Sequence, residues 1–191
     1  MSGHQQEARE WICPLKDDDL LLGDVYERLR SIGLDQEDIP WLVQLIENPK
    51  FDLPGFDLFP GATDLYAHDH LHILLGRGLR AKDEAFVLGF TMGSTNRMNS
   101  TLESLYAVCA KYLFPRAYRF NDEDIHVFKD AVCLGFISDC TPLDKVDFTE
   151  LHGMTIGDAR RSLGIERALL NAYFEIEKLR YPDSVESQRL V

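Results

Sequence analysis

The chain has 191 residues, which is long enough for one domain with a sizeable hydrophobic core. Hydrophobic residues make up 45% and charged residues 27%, an ordinary balance that excludes wholesale disorder. The 20 Lys and Arg against 32 Asp and Glu give a net charge of -12, which argues against a nucleic-acid-binding protein, since phosphate contacts need clustered positive charge.

Apolar residues recur at three- and four-residue spacing along most of the chain, and this period is typical of amphipathic helices. Convincing strand alternation is absent. We therefore predict an all-α fold, a single helical domain of about seven or eight helices. The predicted helices are Leu20 to a stop at Gly33, Pro40 to before Pro49, Gly61–Leu75, Lys82–Thr95, Thr101–Phe114, Asn121–Ile137, Thr155–Leu163 and Ile165–Leu179.

Turn and cap residues delimit these helices. The acidic run 17–19 is expected to cap the first helix, and Gly164 is expected to divide the last two. Residues 49–60 interleave Pro and Gly with large apolar side chains, which predicts an irregular segment packed against the body of the protein.

The helical pattern predicts three regions: an N-terminal tail at 1–15, the helical domain at 16–181, and a frayed C-terminal tail at 182–191. No apolar run approaches the length needed to span a bilayer, and the first residues do not resemble a secretory signal or a transit peptide. The four cysteines lack CxxC spacing, which favours buried or semi-buried thiols in a reducing compartment. We expect a cytoplasmic protein.

The densest group of metal-competent side chains is the run His68-Asp69-His70-Leu71-His72. On a helix, His68 and His72 project from one face, Asp69 reaches the edge of the same site, and His70 points away. Glu84 begins the next helix after a short turn. Two imidazoles with one or two carboxylates suit Zn, Fe, Mn or Co, although such a pair can equally be solvent-exposed or hydrogen-bonded in a core.

The run His68-Asp69-x-x-His72, followed after eleven residues by Glu84, resembles the HDxxH-x11-E motif of the coenzyme Q biosynthesis protein four family. Other segments between about residues 20 and 170 are similar to the family's patterns, but less sharply. These are Leu75–Gly76 after the second His, a degraded LP-x-GT region at 59–63, and an R-x-x-LGI segment within 154–165.

This resemblance implies an all-helical homodimer in ubiquinone biosynthesis that holds one divalent metal ion through His68, Asp69, His72 and Glu84. It does not distinguish Zn, Fe, Mn, Co and Mg. It also implies a polyprenylated benzoquinone precursor as substrate, with removal of the ring carboxylate at C1 and hydroxylation there. The implied activity is therefore that of a metal-dependent oxidative decarboxylase, a lyase, with no catalytic residue separable from the metal shell.

The alternative function is a non-catalytic carrier or scaffold that binds an isoprenoid lipid and presents it to quinone-biosynthesis enzymes. Under both hypotheses, the polyprenyl chain implies peripheral contact with a membrane, the inner membrane, by an otherwise cytoplasmic protein.

The chain departs from the family's pattern just before the His-Asp pair, where Asp64-Leu65-Tyr66-Ala67 replaces the usual Arg and Glu. Three cations in the following turn could instead hold an anionic head group or be solvated loop charges; they are Arg77, Arg80 and Lys82. Apolar residues on nearly all sides of the next helix predict that it is buried. Among them, Phe86 and Phe90 could wall an isoprenoid channel or simply belong to the core.

Two other metal constellations are weaker. Glu123 and His126 have the Glu-x-x-His spacing of a ferritin-like di-metal bundle, but the acidic run 122–124 is better explained as helix capping. A His-Asp phosphohydrolase would need a further upstream His, and His4 lies in the predicted tail.

Overall fold

Eight α-helices account for most of the structure that the computed structural model describes, which comprises Glu7, residues 10–32, Gly61, and residues 63–113 and 119–190. They are α1 Leu22–Ser31, α2 Leu65–Leu74, α3 Ala81–Ser94, α4 Ser100–Val108, α5 Asp122–Ile137, α6 Ile156–Leu163, α7 Arg167–Arg180 and α8 Val185–Gln188. A π-helical turn, Cys109–Leu113, extends α4, and two 3-10 turns, Leu143–Lys145 and Phe148–Leu151, precede α6.

The predicted all-α, single-domain fold is confirmed. Within the described ranges, β pairing is limited to one antiparallel bridge between Leu21 and Thr155. No described helix is both long enough and apolar enough to cross a bilayer. The predicted helix that starts at Pro40 and the irregular segment 49–60 lie outside the described residues.

Three helix starts differ from the sequence prediction by two or more residues, and one of them is α7, which begins at Arg167 rather than Ile165. α2 begins at Leu65 rather than Gly61, because the Asp64 carboxylate accepts a hydrogen bond from the Ala67 amide at 2.7 Å and caps the helix there. α1 begins at Leu22 without a side-chain cap. The Asp18 carboxylate, predicted to belong to an N-terminal cap, instead pairs with Arg160 and Arg167.

Both chain ends of the described structure pack against the domain. Cys13 and Leu15 are buried in the core although they fall in the predicted N-terminal tail. The prediction of fraying beyond Pro182 is wrong, since α8 forms there and Leu190 is fully buried. An ion pair between Arg189 and Asp83 also fixes this C-terminal segment to α3.

Three of the four cysteines, all of which are free thiols, are buried or half-buried as predicted. Cys133 differs because it lies exposed on α5.

Helix α3 is the central element of the described fold, because every residue from Lys82 to Ser94 is buried. This confirms the burial predicted from its apolar residues. Three glycines bring α3 and α5 together, and each touches a backbone carbonyl of the opposite helix. An added Cβ would lie 2.4 Å from Phe128 O at Gly89, 2.2 Å from Val132 O at Gly93, and 2.2 Å from Phe90 O at Gly135. The helix backbones are therefore in direct contact, which excludes any side chain at these positions.

We predict that Gly93→Ala destabilises the fold by about 1–3 kcal/mol or more, because the new methyl group forces α3 and α5 apart. The clash should outweigh the higher helix propensity of Ala, which by itself would stabilise α3 by about 1 kcal/mol. Urea unfolding followed by circular dichroism measures the change. Gly153→Ala is the matched control, since a Cβ there meets nothing within 4 Å. Equal stability of the two variants would contradict the close helix contact.

Candidate metal centre

A short turn folds α3 back against α2 and so brings two parts of the sequence motif together. Gly76 occupies the left-handed region with φ +70, and a Cβ there would lie 2.7 Å from the Leu15 side chain. Only glycine fits this turn without strain. α3 then begins at Ala81, where the Asp83 carboxylate accepts a hydrogen bond from the Arg80 amide at 3.2 Å. Glu84 consequently lies in the first turn of α3, facing α2.

Three of the four predicted ligands converge on one point. His68 Nε2 lies 2.9 Å from Glu84 Oε2 and 3.0 Å from His72 Nε2. His72 Nε2 lies 3.4 Å from Glu84 Oε1. All three residues are buried, and they form a group whose ligand atoms lie within 4.8 Å of one another. This group could hold a metal ion.

The spacing of these atoms fits metal coordination. Ligand atoms at about 2.0–2.2 Å from a metal ion are separated by roughly 2.9–3.5 Å in octahedral or tetrahedral geometry. The three observed separations, 2.9, 3.0 and 3.4 Å, fall in that interval. The group is only slightly accessible, with side chains 7% exposed at His68, 11% at Glu84 and 0% at His72. Access is therefore from the edge formed by His68 and Glu84.

Electrostatics favour an ionised carboxylate in this group. Burial raises the pKa of Glu84. The charge on His72 and hydrogen bonds from both imidazoles outweigh this effect, so the net pKa lies far below its usual range. Burial lowers the pKa of His72, but the Glu84 carboxylate, with smaller contributions from Asp69 and Asp83, raises it above its ordinary value. A proton on His72 therefore competes with any cation for the same nitrogen.

Asp69, the fourth predicted ligand, is outside the group of three. Its carboxylate still interacts electrostatically with His68, His72 and Glu84. Burial raises the pKa of Asp69, and charge on the two imidazoles only partly offsets this effect. Asp69 therefore lies beside the candidate centre, within range of a charge bound there.

The structure places Arg77 in the core rather than in a solvated loop. Its guanidinium pairs with Glu177 through two hydrogen bonds, at 3.1 and 2.5 Å, and both side chains are fully buried. It also lies 3.9 Å from the ring centre of Phe86 and 4.3 Å from that of Phe174. These contacts explain Arg77 and Phe86 as parts of one buried cluster and do not favour either as a substrate contact.

The other predicted substrate residues are also engaged within the fold. Lys82 is buried, donates to Glu123 at 2.6 Å and lies 4.2 Å from the ring centre of Tyr181, so it is not a solvated loop charge. Phe90 is buried and stacks near Phe86. Arg80 is partly exposed and lies 3.7 Å from Glu186.

The alternative di-metal constellation is not assembled around Glu123 and His126. Glu123 pairs with Lys82, and His126 is exposed on α5. Asn121 and Asp124 exchange hydrogen bonds between side chain and backbone, both at 2.9 Å, in a capping box. The capping interpretation of this acidic run is confirmed.

A second histidine group was missed by the sequence analysis. His70 points away from His68 and His72, as predicted, and meets Tyr66 and His152. Burial lowers the pKa of His70 to about 4, which a hydrogen bond to the Tyr66 carbonyl only partly offsets. His152 lies 82 residues from His70 in the chain, so no local spacing indicated that the two would meet.

Comparisons of the chain with protein-family models, curated proteins and solved structures found no match. The candidate centre therefore stands on its own geometry and on the motif.

We predict that Zn²⁺ binding at His68, His72 and Glu84 tightens as pH rises through neutrality. The metal needs a neutral His72, and the raised pKa of that imidazole keeps it protonated to a higher pH than the ordinary value of about 6.5. Competition with a chromophoric chelator on either side of neutral pH measures the affinity. His68→Ala and Glu84→Ala should each weaken binding at this site, whereas the exposed control His126→Ala should not. Affinity independent of pH, or unchanged in His68→Ala, would contradict the assignment.

We also predict that Glu177→Gln destabilises the fold by about 3–5 kcal/mol, because it removes the closer of the two carboxylates that face the buried Arg77 charge. Chemical denaturation gives the free energy of unfolding. The matched control is Arg161→Gln, which removes an exposed pair with Asp158 and should leave the denaturation midpoint almost unchanged. A similar midpoint for both variants would show that the buried pair contributes little.

Proposed function

We propose that this chain is a divalent-metal-dependent enzyme of ubiquinone or related prenylquinone biosynthesis. Its substrate would be a polyprenylated benzoquinone precursor. The ring carboxylate at C1 would leave as carbon dioxide and a hydroxyl group would take its place, with dioxygen as the oxidant that accepts the two electrons released. The observation that supports this proposal is the convergence of His68, His72 and Glu84, three residues of the HDxxH-x11-E motif, on one buried point. The motif suggested the family, and a buried group that could hold a metal ion supports the proposal.

The residues of the centre have separate tasks in this proposal. His68 and His72 supply neutral nitrogen ligands from one face of α2, and Glu84 supplies an ionised oxygen ligand from α3. A divalent cation, when bound, stabilises negative charge that develops on the ring substituents as carbon dioxide leaves. The half-buried Asp69 carboxylate, whose pKa is raised by desolvation, would exchange a proton at the edge of the centre.

The direction of substrate approach follows from exposure. His72 is sealed from solvent, whereas the His68 and Glu84 side chains retain a small exposed edge. An anionic ring would therefore reach the centre over that edge. Of the three predicted cations, Arg80 retains the largest exposed fraction, 27%. We assign it, rather than Arg77 or Lys82, as the candidate contact for a ring carboxylate.

The proposed enzyme would act as a homodimer with peripheral contact to the membrane that holds its polyprenyl substrate. Contacts with other quinone-biosynthesis enzymes belong to the same proposal.

The deciding experiment combines purified protein, a divalent metal, dioxygen and a short-chain prenylated ring acid, and follows ring products and carbon dioxide by mass spectrometry. We expect turnover by the unaltered chain and its loss in His72→Ala, since that substitution removes one metal ligand. His126→Ala, exposed and remote in sequence, should retain full activity.

Three outcomes separate the hypotheses. Turnover that requires His72 supports the enzyme. Stoichiometric binding of the ring acid without turnover would instead support the carrier or scaffold. Full activity in His72→Ala would overturn the role of the centre in catalysis.

A further inference from the structure

The second histidine group lies on the side of α2 opposite the candidate centre and is built from two parts of the described chain. His70 Nε2 lies 2.9 Å from His152 Nε2, and Tyr66 Oη lies 2.8 Å from the same His152 nitrogen. Tyr66 and His70 are one turn apart on α2, while His152 follows the 3-10 turn that ends at Leu151. Two imidazole nitrogens and a phenol oxygen therefore converge.

The tautomer of His70 is fixed by its backbone partner. His70 Nδ1 lies 2.6 Å from the Tyr66 carbonyl oxygen, and a carbonyl can only accept. Nδ1 must therefore carry the proton, and in the neutral ring Nε2 presents a lone pair to the group. A ring N–H donated to a backbone carbonyl is the usual way in which proteins orient metal-ligating histidines.

Hydrogen bonds within the group do not satisfy all three converging atoms at once. If the Tyr66 hydroxyl donates to His152 Nε2, the lone pairs of His70 and His152 face each other at 2.9 Å, which is repulsive. If His152 Nε2 instead carries a proton and donates to His70, the Tyr66 hydroxyl proton has no acceptor within the group. A cation between the three atoms satisfies all of them at once.

The group is held rigidly. The Tyr26 ring stacks on His70 at 4.4 Å between ring centres, and Phe148 stacks on it at 5.2 Å. The backbone at His152 is fixed to α1, since its carbonyl accepts a hydrogen bond from the Gly23 amide at 3.2 Å. Rigid, partly desolvated ligand atoms can bind a metal ion with little further loss of side-chain conformational entropy.

The adjacent surface favours entry of a cation. A depression of about 410 Å³ is lined by Tyr66 of this group, by Phe148, which stacks on His70, and by neighbouring charged residues. Three of these are acidic, Asp64, Asp144 and Asp147, and one is basic, Lys145. The mainly acidic lining attracts cations toward the phenol side of the group.

We propose that His70, His152 and Tyr66 form a second metal site, distinct from the centre at His68, His72 and Glu84. Two imidazoles and a phenol oxygen suit a borderline transition-metal ion, Zn²⁺ or Cu²⁺, and not Mg²⁺ or Ca²⁺. The separations within it, 2.8 and 2.9 Å, resemble those of the first centre. One helix thus supplies histidines to two metal ions, alternately from its two faces.

Metal counting tests this proposal independently of the proposed function. The full chain is stripped with a chelator, loaded with Zn²⁺, desalted and analysed for metal per chain. We expect two ions in the unaltered chain, one in His152→Ala, one in the double variant His68→Ala/Glu84→Ala, and two in the control His126→Ala. One ion in the unaltered chain that survives in His152→Ala, or two ions in His152→Ala, would overturn the second site.

A second, more conservative variant tests the site even if His152→Ala misfolds. Tyr66→Phe keeps the aromatic ring that packs on Tyr26 and removes only the oxygen ligand. In the background of His68→Ala/Glu84→Ala, where only the second site remains, it should weaken Zn²⁺ binding by roughly tenfold or more. With Cu²⁺ as the probe, it should also abolish the phenolate-to-copper absorption band. Unchanged affinity together with no such band before substitution would exclude Tyr66 as a ligand.

Discussion

A single buried guanidinium holds together the elements on which the candidate centre depends. Arg77 leaves the turn between α2 and α3, pairs with Glu177 of α7 and packs against the rings of Phe86 and Phe174. Removing such a charge from water costs several kcal/mol, and only a matched carboxylate with good geometry offsets that cost. The turn can therefore adopt few alternatives, and α3 must present its first turn to α2. The imidazoles of one helix and the carboxylate of the next meet because of this constraint.

The same charge network extends to the end of the described chain. Asp83 precedes Glu84, lies 3.9 Å from Arg77 and pairs with Arg189, while Glu177 also accepts a hydrogen bond from Ser187 at 2.9 Å. Burial raises the pKa of Asp83, and the neighbouring cations offset only part of that effect. The C-terminal segment is consequently a structural support of α3. Its ion pair lies one residue from a proposed metal ligand.

How much the sequence could predict depended on how local the determining contacts are. The helical period identified seven of the eight described helices, all except α8. The four-residue spacing of His68 and His72, with a short turn before Glu84, predicted that these three side chains would meet, and they do. Burial of Arg77 was not predictable, because its partner Glu177 is 100 residues away in the chain. The missed meeting of His70 with His152 has the same cause, since the contact is created by packing across helices and leaves no pattern in either segment.

Because histidines on opposite faces of α2 serve different groups, this helix is sensitive to insertions and deletions that change its helical phase. His68 and His72 face Glu84, while His70 faces His152, so residues two apart serve opposite sides of one helix. A deletion or insertion of one residue between His68 and His70 would rotate His70 and His72 by about 100° relative to Tyr66 and His68. Such a change would separate both sets of partners together while leaving helix propensity intact. Length variation among natural versions of this chain should therefore be absent from this segment and tolerated in exposed connections such as the one at Gly153.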